Sequence, residues 1–351
     1  MKPKKDKGQQ ETERILSDVE KRINKEYKQA TKEIEEKLND YLRRFELKDK
    51  KWQEWVEDGT KTEAEYKQWR LGQMAVGKRW SDLKEELAHD LVEVNNSAKE
   101  KIMSVCPEVY ADNFNFETYQ VEKDARIDTG FTKYSKESVE KLMKEDPEVL
   151  PPPGKKVSKD IAEGKAVRWN RQKLQSVMTQ GILQGESIPN LAIRLSKAVG
   201  DSDRKAAIRN ARTMATRAQN AGRVDAHKRA EDMGVELVNM WLATFDNRTR
   251  TSHRELDHKT APVGEDFENG LEYPGDPKGD PEEIYNCRCS IRGVVKGLER
   301  KAYKYRDESV VGMSYEEWLE AKPESQDILH QEKVGKAMEQ KEAAKYRKKR
   351  G

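Results

Sequence analysis

Residues 241–289 read WLATFDNRTRTSHRELDHKTAPVGEDFENGLEYPGDPKGDPEEIYNCRC, and no regular helix can run through them. Proline removes a backbone donor and glycine loosens the chain, and both recur along this stretch. The sequence around it is charged, polar and helix-like. Something other than helix packing must therefore shape the segment, and the candidates are written into it. It holds two of the three cysteines, Cys287 and Cys289, and two of the five histidines, His253 and His258.

The helical surroundings cannot form one compact globule with a large core. Hydrophobic residues make up 34% of the 351-residue chain and charged residues 38%, against roughly 45–50% apolar residues in ordinary globular chains. Long, solvated helices fit this balance. The net charge is +3, from 68 basic and 65 acidic residues, which argues against a protein dedicated to coating nucleic acid. No apolar run reaches the ~18 residues of a membrane span. The start, MKPKKDKGQQETER, lacks the apolar segment of a secretory signal, and so few cysteines make no disulfide framework, so a reducing cytoplasm is the expected site of folding.

Periodicity sets the organisation. Leu16, Val19, Ile23, Tyr27, Ala30, Ile34, Leu38, Tyr41 and Phe45 follow an eleven-residue repeat, that of a nearly straight helix or a slightly right-handed supercoil. It reads as an amphipathic helix packed on its own chain or, alternatively, as a partner-binding stripe. Trp52, Trp55, Trp69 and Trp80 follow on further helix, as core anchors or a partner face. Pro107 is expected to end this region. Residues 108–150 look mixed, with a strand or extended arm and then a short capped helix, and PPPG at 151–154 reads as a stiff linker. Residues 156–235 read as three helices, with stops at Gly185, Gly200 and Gly234 and a cap at Ser187. Arg204, Arg209, Arg212, Arg217 and Arg223 recur on the last, as a solvated face or as phosphate contacts. Strands are expected within 236–245 and 289–295. Residues 314–322 read as a short helix docking through Trp318, and 345–350 as a basic tail. The fold class is thus mainly α: elongated N-terminal helices plus a small, loop-rich α+β C-terminal module. The domain divisions are 1–107, a long-helix partner-binding region; 108–154, a connector; 155–300, the module; and 301–351, a polar helix and tail.

The order WLATFDNRTRTSH, LDHKTAPVGEDF, YPGDP, NCRC resembles the phage Mu F-like minor head proteins, also called phage head morphogenesis proteins. The approach ILQGESI and AQNAGRVDAHKRAEDMG fits them too, so the resemblance covers roughly residues 150–300. It implies a structural minor capsid protein of a tailed phage, made in the host bacterial cytoplasm and carried in the virion, inside the capsid at the portal vertex. The implied partners are the portal protein and scaffold or capsid protein; separately, the basic patches on the 204–229 helix and the 345–350 tail are expected to meet packaged DNA in a weak, salt-sensitive contact. The implied role is head assembly or DNA delivery. His258 departs from the pattern: family members often have glycine after the Leu-Asp pair.

The residues themselves leave two chemical readings open. Cys287 and Cys289 would share a face on an extended backbone, and with His253 and one of Asp257 or His258 they could hold zinc, the candidate cofactor. Otherwise the thiols are small buried apolar groups and His253 a hydrogen-bonded loop residue. The remaining motif residues, Trp241, Asp246, Arg248, Arg250, Pro274, Gly275, Asp276 and Asn286, read as structural. Asp246 would cap the turn after the strand, and the arginines would pair with loop carboxylates such as Glu265 or Asp276. No Gly-rich phosphate loop, G-x-S-x-G or H-E-x-x-H is present, so a non-enzyme is expected. The alternatives are a metal-dependent nuclease or hydrolase centred on His253, Cys287 and Cys289, and a DNA-binding accessory protein using the 204–229 helix.

Overall fold

A computed structural model describes residues 5–128, 130–151, 159–296 and 312–324. The fold is mainly α with one small sheet. Its elements in chain order are α1 (Lys7–Arg43), α2 (Glu46–Glu57), α3 (Glu63–Met74), α4 (Lys78–Ala125), α5 (Lys136–Glu145), α6 (Lys159–Leu183), α7 (Ile188–Asp232), β1 (Leu237–Leu242), α8 (Thr251–Glu255), β2 (Thr260–Pro262), α9 (Pro281–Ile284), β3 (Ser290–Val295) and α10 (Tyr315–Ala321). They form two compact units, one from Ser17–Ile102 and Gly154–Ala211 and the other from the remaining three segments. No helix among the described residues is long and apolar enough to cross a membrane.

The first unit is helical. Ile34, Leu38, Tyr41 and Leu42 of α1 pack with Met74 of α3, Trp80, Leu87 and Leu91 of α4, Leu174, Met178 and Ile182 of α6, and Leu191 and Leu195 of α7. The eleven-residue stripe is thereby explained: Val19, Ile23, Tyr27, Ile34, Leu38 and Tyr41 are all covered by the chain's own residues. This corrects the reading of the stripe as a partner surface. The tryptophans divide. Trp80 is core, with Nε1 donating to Gln175 Oε1 at 2.8 Å. Trp52 stacks on Trp69 with ring centroids 5.5 Å apart, and Trp55 meets Trp52 edge-on and stays 39% exposed.

Two expected breaks are absent. α4 runs through Pro107, which loses one backbone hydrogen bond and ~3 kcal/mol. Burial of Val109, Tyr110, Phe114, Phe116 and Tyr119 on the same helix outweighs this, at roughly 1.5–3 kcal/mol per large apolar side chain. The strand or arm expected after residue 107 is therefore helix as far as Ala125. α7 likewise continues through Gly200, joining two expected helices. The glycine answers packing: a β-carbon there would collide with Thr31 of α1. Gly185 and Gly234 do follow helix ends, with φ of +75° and +88°. Of the linker expected at 151–154 only Pro151 is described; residues 152–154 and the tail at 345–350 lie outside the described residues.

The second unit holds the sheet, ordered β2-β1-β3 and antiparallel throughout. Trp241 pairs with Ile291, and Val238 lies between Pro262 and Val294. β1 and β3 fall where sequence placed them; β2 was not expected. Leu237 and Val295 pack with Val121 and Ala125 of α4, Phe131 and Ala230. α10 begins with a capping box between Ser314 and Glu317, and Trp318 docks as expected, its Nε1 donating to Glu122 Oε2 at 2.6 Å.

Candidate functional site

One polar face of α7 organises the loop-rich segment. Thr213, Thr216, Asn220, Arg223 and His227 recur every three or four residues, the spacing of one helix face, Arg217 sits beside Thr216, and all are buried. Thr216 Oγ1 donates to the Cys287 carbonyl at 2.7 Å, and Thr213 Oγ1 accepts from Asn286 N–H at 3.2 Å. Asn220 Nδ2 donates to the carbonyls of Pro274, at 2.9 Å, and Cys289, at 3.2 Å, while its Oδ1 accepts from Ile291 N–H. Arg217 Nε donates to the Gly275 carbonyl at 3.0 Å. Gly275 has φ +90° and lies so close to Arg217 that a β-carbon would sit 3.3 Å from its backbone. Asp276 closes the adjoining turn, accepting from Glu272 N–H and Lys278 N–H. YPGDP and NCRC are thus backbone shapes fitted to α7.

Arg223 and Arg217 correct the phosphate-contact reading. Both are essentially unexposed. Arg223 donates to Asp6, to Asn113 Oδ1 and to the Ile291 carbonyl, and it lies 3.4 Å from Glu117. Glu117 is held below the usual carboxylate range although burial pushes it up. The hydrogen bond to His227 and the Arg223 guanidinium reverse that push. Arg204 pairs with Asn24 and Asp201, and Arg229 lies 4.8 Å over the Tyr134 ring. Arg217 and Arg223 are internal fasteners, whereas Arg209 and Arg212 are exposed.

His253, Cys287 and Cys289 converge, all buried, with one ligand atom from each lying within 4.8 Å of the others. His253 projects from α8; the thiols precede β3. Both Sγ atoms lie 3.5 Å from His253 Nδ1. On the other side of the ring, Nε2 is 2.8 Å from Glu283 Oε2, and Ser252 Oγ donates to the same carboxylate. An ionised carboxylate only accepts, so Nε2 carries the proton and Nδ1 presents its lone pair to the sulfurs. Trp241 is fully buried and packs edge-on against His253, with centroids 5.2 Å apart. The thiols share charge unevenly. The Cys287 hydrogen bond pulls Cys289 down to about 5 against burial. Cys287 is driven up by its hydrogen bond to Cys289 and by burial.

Asp257 and His258 do not join this cluster. Asp257 Oδ1 accepts from Ala243 N–H at 2.8 Å, and its Oδ2 lies 2.7 Å from His258 Nδ1. The His258 side chain is 70% exposed. Both residues border a cavity of about 360 Å³, together with Phe245, Asp246 and Arg288. The backbone accounts for the position: His258 has φ +62°, the left-handed region that favours glycine.

Asp246 caps its turn as expected, accepting from Arg248 N–H at 2.8 Å and Thr249 Oγ1 at 3.2 Å. Its ionic partner lies at the other end of the motif. The arginine of NCRC, Arg288, forms a two-pronged pair with Asp246, and this hydrogen bonding holds the carboxyl well below the usual range. Arg250 donates instead to the Tyr285 carbonyl at 2.6 Å, and Arg254 to the Asp246 carbonyl. The beginning and end of the motif are therefore tied directly to each other. Glu283, Thr216, Asn220 and Arg288 escaped the sequence reading; the only signal was the three-and-four spacing of polar residues on α7.

Residues 172–292 match the family model described as Phage Mu protein F like protein. The chain is 30% identical over 175 residues to NAD(+)--arginine ADP-ribosyltransferase EFV of Enterococcus faecalis, a match covering 48% of this chain and 35% of that relative. The chain thus spans about a third of the length of that relative. It is 26% identical over 291 residues to Minor head protein GP7 of Bacillus phage SPP1, covering 81% of this chain and 84% of that one. No solved structure matches.

Proposed function

We propose that the chain is a structural minor head protein of a tailed phage. It is carried in the virion at the portal vertex and acts in head assembly and DNA delivery. The observation that carries this reading is the length of the match to the SPP1 minor head protein, which runs through most of both chains. The transferase relative is matched over 35% of its length, so a shared segment accounts for that similarity more economically than a shared activity. The Mu F-like region supports the same reading through its build. α7 and the Asp246–Arg288 pair spend the motif's polar residues on holding loops in place.

The portal protein is the proposed partner. Leu47, 79% exposed, and Trp55, beside the stacked Trp52 and Trp69, supply an apolar surface on α2 and α3. Co-expression of the chain with the portal protein of its own genome, followed by size-exclusion chromatography, tests the reading. Co-elution is expected, reduced about tenfold or more in Leu47→Ala/Trp55→Ala if these side chains are central to the contact. Separate elution at micromolar concentration would count against portal association. Incubation with labelled NAD(+) and an arginine acceptor should leave the acceptor unlabelled; transfer would replace the structural reading with an enzymatic one.

A further inference from the structure

We propose that His253 Nδ1, Cys287 Sγ and Cys289 Sγ bind a zinc ion, with Glu283 as the positioning residue on His253 Nε2. The reading is independent of the phage-head role. A neutral imidazole Nδ1 has one in-plane lone pair, and a single S–H···N hydrogen bond would bring one sulfur to it. Here two sulfurs stand at the same 3.5 Å. Zinc bonds of ~2.3 Å to sulfur and ~2.0–2.1 Å to nitrogen, at a tetrahedral angle, put N and S about 3.5 Å apart. Both N···S separations match that edge.

The surroundings supply what such a site needs. The Glu283 carboxylate fixes the tautomer that frees Nδ1, and Ser252 holds the carboxylate. This carboxylate–histidine arrangement orients metal-binding imidazoles and raises their basicity. Buried thiolates select soft or borderline ions such as zinc over magnesium and calcium. On binding, each sulfur gives an electron pair to the metal and any thiol proton still present passes to solvent, so affinity falls as pH is lowered. Asp257 and His258 stand outside this set. The described protein ligands number three, which leaves the fourth position to water or an incoming group, the arrangement of an open rather than a closed zinc site. The ion would tie α8 to the start of β3 across a segment with few apolar residues of its own.

The full chain, purified anaerobically and loaded with zinc, tests this by elemental analysis. One zinc per chain is expected, retained in Asp257→Ala and His258→Ala and lost in Cys287→Ser/Cys289→Ser. Glu283→Gln should weaken zinc affinity roughly 10–100-fold with the metal still bound at saturation. Should the double serine variant not fold, the wild-type chain decides. Chelation should lower its thermal midpoint, zinc but not magnesium should restore it, and cobalt should give a thiolate-to-metal charge-transfer band. Wild-type chain that takes up no zinc, cobalt bound without that band, or zinc retained by the double serine variant overturns the site.

Discussion

His258 occupies a left-handed backbone position at φ +62°, where the Mu F-like resemblance leads one to expect glycine. A side chain there carries roughly 1–2 kcal/mol of local strain, partly offset by the extra freedom glycine gives the unfolded chain. The ion pair with Asp257 recovers little, because the histidine is mostly exposed. His258→Gly is therefore expected to raise stability by about 0.5–1 kcal/mol in urea unfolding; a loss would show that the imidazole does something the backbone argument omits. Asp112 provides a second test. Burial, with Glu11 and Glu108 nearby, pushes its carboxyl up to about 7 although Arg14 pulls it down. A raised acid favours the folded state fully below its unfolded pKa of ~3.9, and that stability is lost as pH rises toward 7. Asp112→Asn should thus stabilise the chain at pH 8, by on the order of 1–2 kcal/mol, and far less near pH 4. A difference that does not change with pH would contradict the burial argument.

Elements show where sequence reading succeeds and where packing overrides it. β1 and β3 were legible because β-branched and aromatic residues cluster after the Gly234 stop, and burial on β1 alternates as a sheet requires. β2 was not, because three residues carry no readable period; register against β1 defines it. Pro107 and Gly200 looked like breaks because local rules see the residue and not its neighbours. In the fold, one is outweighed by aromatic burial and the other makes room for Thr31. The site divides the same way. Cys287, Cys289 and His253 were legible as a convergent set, whereas Glu283 was invisible, since nothing in PEEIY marks one glutamate as the partner of a distant imidazole. Arg217 and Arg223 were misread because a buried, bonded arginine is indistinguishable in sequence from an exposed one such as Arg209 or Arg212. Gly222 supplies a test of the α7 packing. Helix propensity alone would make Gly222→Ala stabilising by ~1 kcal/mol. A β-carbon there would strike the Tyr110 carbonyl of α4, which is backbone and cannot step aside. A net loss of about 2 kcal/mol or more is expected; a gain would mean the two helices lie farther apart.

At the scale of the whole molecule, the first unit is held by an apolar core and the unit with the sheet adds buried polar fastening to smaller apolar clusters. The unit holding the sheet is secured by Arg223 with Asp6, Asn113 and Glu117, by His227 with Asn239, and by Glu122 with Trp318 and Lys322. Such networks are costly to break from one side. Arg223→Ala, which takes the guanidinium from buried Glu117 and leaves it His227 and the Gly293 N–H, should destabilise by roughly 3–5 kcal/mol, measured by loss of the cooperative transition at ordinary denaturant. A rigid module built this way suits a scaffold role, and that role is the central claim. It is tested most directly by quantitative mass spectrometry of heads purified from the genome that encodes the chain, with and without the portal gene. The chain should be present at low copy in complete heads and lost from heads assembled without portal. Its absence from complete heads would contradict the head-protein role, and undiminished retention without portal would contradict its place at the vertex.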